Sequence, residues 1–562
     1  MPKLLINERE IEFKQGQTVI EVARDNGIEI PHYCWHPSLS VSGNCRVCLV
    51  EIEKMPKLVI ACSTLAAEGM VVHTQSDKTL QARNAVMEFL LINHPLDCPI
   101  CDEAGECKLQ DYAFHHGYGE SRFDEIKNRK EKRVTLGPRI MFDGDRCISC
   151  SRCIRFSDEI AKANQLTFVQ RGDRVTIKTF PGEEFDNPYT LNTVDICPVG
   201  ALTSRDFRFK ARVWDMSETK TICPGCARGC NIDMWVRNNE ILRLTPRENL
   251  EVNDYWMCDR GRLNTFKFVN AESRIDGALI RENDETKKVS IDEGIYKAAQ
   301  VLQKYKANQI AFVGSAFATC EDNFALAKFA RENFSANHID FIRYTDENDC
   351  DDILVRADKT PNSWGAENTG IKPGNNGLNL DAIFSEIKKG NIKALFVMED
   401  NPAAISDDYK NALNKLECLV VLAVNENETT SLANIVLPAS AYAEKNGTFV
   451  NFEGRVQRIK PAVVTQEMER SLDGMSMSRL DKFGTKYDSW ASGKTVNAKP
   501  SWQLLSLLSQ KLGGKMNYQM AEDIFDDLVK SNKEFTGLDY DLIGEKGVQL
   551  ESFKKVKETV LT

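Results

Sequence analysis

The stretch HPLDCPICDEAGEC, residues 94–107, places one imidazole and three thiols within fourteen residues. His94, Cys98, Cys101 and Cys107 follow the spacing H-x3-C-x2-C-x5-C. A hydrophobic core needs no such concentration of donors. Three thiolates with one imidazole are a common ligand set for structural zinc, and they also suit a 4Fe-4S cluster. Taken alone, the stretch leaves both open.

Three further sets flank it. Cys34, Cys45, Cys48 and Cys62 form C-x10-C-x2-C-x13-C, with Gly43 and Asn44 supplying turn-prone backbone before the close pair. This is near the plant-type 2Fe-2S pattern, with a longer first gap; a zinc knuckle is the alternative. Cys147, Cys150 and Cys153 open a bacterial ferredoxin run, and Cys197 with Pro198 supplies the Cys-Pro that closes one. The other positions such a two-cluster protein would use are Ser157, Asn187, Thr190 and Thr193. The arithmetic describes a two-cluster ferredoxin that has lost one site and keeps a 4Fe-4S cluster at the other. Cys223, Cys226, Cys230 and Cys258 form C-x2-C-x3-C-x27-C with Pro224, Gly225 and Gly229 in the loop, a set for 4Fe-4S or for a zinc ribbon. The neighbours of these sets lower the weight of zinc at His94. An imidazole in place of a thiolate leaves a cluster less negative and raises its potential. His115 and His116 read as surface residues or as residues beside the site.

The 562 residues predict three to five domains, and 42% apolar with 27% charged residues is the composition of a folded protein. A net charge of -10 argues against a general nucleic-acid binder. No run reaches the length of a membrane span and residues 1–14 lack the core of a signal peptide, so a reducing compartment is expected. There, eighteen cysteines, fifteen of them clustered before residue 260, point to metal rather than disulfides. Cys320, Cys350 and Cys418, widely spaced, read as buried free thiols. No G-x-G-x-x-G, P-loop or H-E-x-x-H motif is present. Metal centres without a substrate motif describe an electron carrier.

Several elements must position these ligands. Residues 4–13 predict a hairpin turning at Asn7 and Glu8, and Thr18 with Glu21 a capping box ahead of a short helix ended by Asn26 and Gly27. Residues 78–93 predict a helix, with Leu80, Val86, Leu90 and Leu91 as its apolar face, that delivers the chain to His94. Residues 123–134 read as a solvated linker. From about residue 290 apolar runs at 309–315, 393–400 and 419–425 alternate with helical segments, which predicts parallel strands with crossover helices. Residues 471–499 read as a surface loop or mobile insertion, followed by two short amphipathic helices, SWQLLSLLSQKLGG and MAEDIFDDLV.

In this order the four sets resemble the large iron-sulfur subunit of bacterial NADH-quinone oxidoreductase, respiratory complex I. The segments HYCWHPSLSVSGNCRVCLVEIE, HPLDCPICDEAGECKLQD, RCISCSRCIRF with ICPVGAL, and CPGCARGCNI with CDRGR carry the likeness, which spans essentially the whole chain. The resemblance implies a multidomain α/β and α+β protein. Its divisions are a 2Fe-2S ferredoxin-like domain (1–77), a His-ligated 4Fe-4S domain (78–138), a 4Fe-4S ferredoxin-like domain (139–216) and a 4Fe-4S domain of molybdopterin-oxidoreductase type (217–274). A truncated molybdopterin-oxidoreductase-like α/β domain (275–470) and a C-terminal loop and helical region (471–562) follow.

It implies one 2Fe-2S and three 4Fe-4S clusters on the sixteen residues above, the last cluster being absent from many members, and no catalytic residue. The implied function is electron relay from flavin, reduced by NADH on a partner subunit, toward quinone, coupled in the complex to proton translocation. The implied partners are the flavin- and NADH-binding subunit, a 2Fe-2S partner and the quinone-side subunits, on the cytoplasmic side of the inner membrane, with neither nucleic acid nor direct membrane insertion. The segment NETTSLANIVLPASAYAEKNGTFVNFEGRVQ resembles the molybdopterin oxidoreductase fold, carried in that family without molybdenum. A molybdenum formate dehydrogenase is the alternative. Against it, 104 residues follow Arg458, fewer than the remaining cofactor domain needs, and IRYTDEND (342–349) holds no Cys where the metal ligand is usual. A relay subunit of a hydrogenase or bifurcating complex would show the same ligands.

Overall fold

A computed structural model describes residues 1–282, 285–466 and 493–553. The chain forms two compact units, Met1–Val213 and Trp214–Thr562. Among the described residues no helix is long and apolar enough to cross a membrane.

In the first unit the predicted hairpin is Lys3–Ile6 against Arg9–Glu12, in the register Leu4 to Ile11. Asn7 and Glu8 make the turn at φ 49° and 68°, a left-handed pair that Asn tolerates better than Glu. Lys3–Ile6 also pairs in parallel with Val71–His73, which continues the sheet to Leu49–Ile52 and Val59–Ile60. The helix Val19–Asp25 starts in the expected capping box of Thr18 and Glu21. It buries Val19, Ile20, Val22 and Ala23 on Leu4, Ile6, Ile11, Val50, Ile52 and Val72 of the sheet.

The next helix, Asp77–Ile92, is capped by Ser76, whose side chain accepts from the Thr79 amide. It leads to His94 as predicted, but its buried face is Thr79, Arg83 and Met87, at i, i+4 and i+8. Leu80, Val86, Leu90 and Leu91 are half-buried. The reason is Arg83, 1% exposed, whose guanidinium donates to the carbonyls of Val47, Leu49 and Thr74. A charge faces the core because three main-chain oxygens need it. Residues 123–133 are mostly exposed but pinned rather than slack. Lys127 donates to the carbonyls of Leu91 and Ile92, the Lys130 amide to Asp145, and the Gly144 amide to the Glu131 carbonyl. The rest of this unit holds Leu202–Ser204, Ile140–Phe142 and Val134–Thr135 in one small sheet, and Leu166–Val169 with Thr176–Thr179 in another.

The second unit opens with an antiparallel meander, Ser217–Ile222, Asn231–Arg237 and Glu240–Pro246. Its centre is a seven-stranded sheet. Ile339–Ile342, Ile310–Ser315, Ala394–Met398, Cys418–Ala423 and Ile435–Pro438 run parallel in that spatial order, and Ala278–Glu282 and Glu285–Val289 extend it antiparallel. The three apolar runs read from the sequence are the three central parallel strands, buried along their length. Each large side chain so buried contributes about 1.5–3 kcal/mol. The two C-terminal helices are Ser501–Lys511 and Ala521–Ser531, and both contact the helix Cys320–Phe334. The loop expected at 471–499 lies, up to residue 492, outside the described residues. Cys320 and Cys418 are buried free thiols as expected, whereas Cys350 is exposed, its thiol donating to the Glu347 carbonyl.

Candidate metal centres

Cys34, Cys45 and Cys48 of the first set stand in the loop between the helix Val19–Asp25 and the strand Leu49–Ile52, and Cys62 follows the strand Val59–Ile60. Gly43 turns that loop at φ 65°, where an added Cβ would come within 3.1 Å of Ile60. The four thiols meet as two pairs, Cys34 with Cys45 and Cys48 with Cys62. Within each pair the thiol–thiol hydrogen bond holds Cys34 and Cys62 down and Cys45 and Cys48 up. Two adjacent pairs of thiolates are what a two-iron centre needs, two ligands per iron.

Cys147, Cys150, Cys153 and Cys197 line one cavity of about 320 Å³, walled by Phe142, Ile177, Val199 and Leu202. Ser149 and Ser151 adopt left-handed backbone, φ 54° and 63°, which winds the loop so that the Ser149 amide donates to the Cys147 sulfur at 3.4 Å. Burial raises all four thiols, Cys147 to about 11. The four positions without cysteine are knitted by hydrogen bonds. The Gln165 amide donates to Ser157 Oγ at 3.2 Å, and Asn187 Nδ2 donates to Gln165 Oε1 at 2.9 Å. The Asn187 amide donates to Thr190 Oγ1 at 2.8 Å, and Thr193 Oγ1 donates to the Thr190 carbonyl at 2.7 Å. Ser157, Thr190 and Thr193 are fully buried.

In the His94 set, Cys98 begins a 3-10 turn and Cys107 caps the helix Lys108–His116. Cys101 and Cys107 feel each other's charge, and burial raises both, Cys107 to about 12. His94 and Cys101 both face Asp97 and Arg146. Burial holds the His94 imidazole down at about 4, against the pull of Asp97, so the ring is neutral near pH 7 and a nitrogen lone pair is free to bind metal. Gly200 leaves the room: a Cβ there would come within 2.3 Å of the Cys101 sulfur. His115 is exposed and His116 half-buried at the end of its helix.

The loop of the third set touches both others. Toward the first, Arg155 donates to the carbonyls of Cys34 and Ser40, Arg152 to that of Trp35, and Asn44 to that of Ser149. Toward the His94 set, the Cys107 sulfur lies 3.9 Å from the Pro198 carbonyl, and Glu103 influences the Cys197 thiol. The Cys34 and His94 sets also meet, the Tyr33 hydroxyl donating to the Lys108 carbonyl at 3.5 Å, so the three sets adjoin one another. Arg83, Arg152 and Arg155 escaped the sequence reading because each serves a carbonyl far away in the chain. Arginines inside or beside cysteine loops were the available signal.

In the second unit Cys223, Cys226, Cys230 and Cys258 line a cavity of about 290 Å³ with Gly225, Gly229, Met257 and Leu354. Cys258 caps the helix Asp259–Asn264, its sulfur accepting from the Gly261 amide at 3.3 Å. A Cβ at Gly261 would lie 2.9 Å from the Cys223 sulfur. Among the described residues no three His, Cys, Asp or Glu side chains are placed to hold a single metal ion. Each of the Cys147 and Cys223 sets brings four thiols around one small pocket, an arrangement open to a 4Fe-4S cluster or to a single tetrahedral ion.

A larger and more open cavity, about 1970 Å³, lies at the carboxyl ends of the parallel strands of the second unit. Tyr344, Thr345 and Asp346 of the IRYTDEND segment line it with Phe317, Asp400 and Glu426. Its cations Arg260 and Lys359 are both engaged by Asp349. Its wall is acidic on balance and holds no cysteine among the described lining residues, a poor match to the phosphate and metal of a pterin cofactor.

Five family models match in chain order: 2Fe-2S iron-sulfur cluster binding domain (3–77), NADH-ubiquinone oxidoreductase-G iron-sulfur binding region (83–122), NADH-quinone oxidoreductase subunit 3 ferredoxin-like domain (137–203), molybdopterin oxidoreductase Fe4S4 domain (216–270) and molybdopterin oxidoreductase (357–472). With the fold, they define the class: a chain of 2Fe-2S- and 4Fe-4S-binding domains joined to a molybdopterin-oxidoreductase-type α/β unit. Within that class it resembles the G-subunit of NADH-quinone oxidoreductase. It is 40% identical to that protein of Rickettsia conorii over 346 residues, 61% of this chain and 51% of the relative. The Streptomyces coelicolor protein is 39% identical over 60% of this chain and 40% of its own length, and the Mycobacterium bovis protein 40% identical over 61% and 43%. The chain spans about half the length of the curated relatives it matches, or less. A chain of an NAD+-reducing [NiFe]-hydrogenase crystal structure in the H2-reduced state matches at 30% identity over 38% of this chain and 91% of that one, with a TM-score of 0.35.

Proposed function

We propose that this chain is the electron-relay subunit of a respiratory complex I, taking electrons from NADH-reduced flavin on a partner subunit toward quinone in a proton-translocating assembly. The observation that carries the reading is the adjacency of three donor sets in the first unit, with the Cys147 set hydrogen-bonded to the Cys34 loop and meeting Cys107. A relay needs neighbouring centres held rigidly, and this unit supplies them.

Cys34, Cys45, Cys48 and Cys62 would hold a 2Fe-2S cluster. His94, Cys98, Cys101 and Cys107, then Cys147, Cys150, Cys153 and Cys197, then Cys223, Cys226, Cys230 and Cys258, would each hold a 4Fe-4S cluster. When bound, such clusters supply one-electron transfer without bond making at the protein. The protein's own part is to bind, to exclude water and to place donors: Ser149 and Gly261 give amide hydrogen bonds to ligand sulfurs, which raise potential by stabilising negative charge. The large cavity of the second unit is read as holding no molybdopterin, and that unit as a scaffold. The partners are the flavin- and NADH-binding subunit, a 2Fe-2S partner and the quinone-side subunits, and the place is the peripheral arm on the cytoplasmic side of the inner membrane.

Affinity purification of the full chain from its host, with identification of the co-purifying chains and NADH-driven EPR, tests this. Flavin- and quinone-side subunits with NADH-reducible signals support it. Hydrogenase chains, or a formate-reducible protein carrying pterin and molybdenum, would overturn it.

A further inference from the structure

Arg152 sits at the joint between the first and third donor sets and is 5% exposed. Its two terminal nitrogens serve different loops. Nη2 donates to the carbonyl of Trp35, the residue after Cys34, at 2.5 Å. Nη1 donates to the carbonyl of Ile196, the residue before Cys197, at 3.1 Å. Each arm therefore holds the main chain one residue from a thiol of a different set, and Arg152 itself precedes Cys153.

Its charge has no ordinary counterpart. Among the described residues no carboxylate forms an ion pair with it, and its Nε has no hydrogen-bond partner. Its guanidinium lies between the loop that carries Cys34 and the loop that carries Cys197. The other cations and imidazoles it influences, Lys108, His32 and His36, add repulsion. A buried, unpaired guanidinium is strongly unfavourable. Arg155 is a second cation at this joint, but it is half-buried and its arms go to the Cys34 and Ser40 carbonyls and Ser151 Oγ, not to the Cys197 loop; the other arginines near the donor sets differ further. Arg146 is bound by both oxygens of Asp97, while Arg83 and Arg228 each serve one set.

We propose that Arg152 is a shared positioning residue and counter-charge for the two centres held by the Cys34 and Cys147 sets, fixing the spacing of their loops and raising both potentials together. This rests on the iron-sulfur reading of those sets. A single cation between two anionic centres stabilises the more negative, reduced form of each.

The test uses the full chain purified anaerobically as wild type, R152K and R152Q, with iron and zinc measured first and redox titration followed by EPR second. In R152Q the reduced-to-oxidised ratio of both centres at a fixed ambient potential should fall about tenfold, equivalent to about 59 mV for a one-electron couple. R152K, which keeps the charge but not the two-armed grip, should retain both potentials more closely, while the signals of the His94 and Cys223 centres stay put in both variants. If R152Q fails to assemble, R152K decides: iron kept at both sets with near-native potentials supports the shared charge, and loss or shift confined to one set overturns it. Intact iron with unmoved potentials in R152Q also overturns it. Zinc in place of iron in the wild type would instead remove the reading on which the inference rests.

Discussion

Arg155 donates its Nη2 to the main-chain carbonyl of Cys34 at 2.5 Å, so a residue two places after Cys153 holds a loop 121 residues earlier in the chain. The same side chain reaches the Ser40 carbonyl through Nη1 and Ser151 Oγ through Nε. Arg155→Ala removes all three contacts. The Met1–Val213 unit should lose about 1–3 kcal/mol, in the range for a few partly exposed charge-assisted bonds. Chemical denaturation of the cluster-loaded chain checks this, with iron per chain unchanged before unfolding. Unaltered midpoints would show that the loops are held elsewhere.

Gly200 is a second point where two donor sets depend on one backbone atom. Gly200→Ala would place a methyl 2.3 Å from the Cys101 sulfur and 3.0 Å from Glu103 Cβ, an overpacking worth about 1–3 kcal/mol if the thiol cannot retreat. Iron bound at the His94 set should become labile while the Cys34 and Cys223 sets keep theirs. EPR of the reduced protein after mild chelator treatment separates the signals; an intact signal from the His94 centre would place Cys101 outside its ligands.

The imidazole of His94 makes a prediction of its own. A neutral ring contributes no charge where a thiolate contributes one, so His94→Cys should lower the potential of that centre if it still assembles. His94→Ala should leave a labile centre held by three thiolates. Redox titration of both variants is the check. Identical potential and spectrum in wild type and both variants would mean that His94 is no ligand, with His115 and His116 the nearest candidates.

Asp400, 6% exposed at the end of the strand Ala394–Met398, has its carboxyl pushed up to about 7 by burial, against hydrogen bonds from Tyr344 and Asn401. Unfolded, an aspartate titrates near 3.9. Folding therefore takes up a proton between about pH 4 and 7, and the stability so gained is complete below pH 4 and is lost as pH rises through 7. Asp400→Asn cannot ionise and retains the acceptor that Tyr344 uses. Its advantage over wild type should grow by on the order of 3 kcal/mol from pH 5 to pH 8 and then level off. Parallel stability curves for the two proteins would contradict the raised carboxyl.

Short-range pattern made much of this molecule legible. Thiols two or three residues apart announce metal, the Thr18 and Glu21 capping box announces its helix, and the apolar runs at 310–315, 394–398 and 418–423 are fully buried strands. The reading of a lost second ferredoxin site also came from spacing; the positions it names are joined by hydrogen bonds, Ser157 to Asn187 through Gln165 and Asn187 directly to Thr190. Arginine roles were not legible. Arg83 occupies the core face of its helix because three carbonyls from other segments converge there, and nothing in the helical period says so. The adjacency of the donor sets was hidden for the same reason, since it depends on contacts over a hundred residues apart, such as Cys34 with Arg155.

The central claim is that four donor sets hold iron-sulfur clusters rather than zinc. Iron, acid-labile sulfide and zinc per chain, measured on anaerobically purified full-length protein, test it most directly. Full loading predicts about 14 iron atoms per chain, from one 2Fe-2S and three 4Fe-4S clusters, with zinc negligible. About one zinc per chain with iron reduced by four would contradict one of the 4Fe-4S assignments, the His94 set being the first suspect, and zinc at all four sets would contradict the whole account.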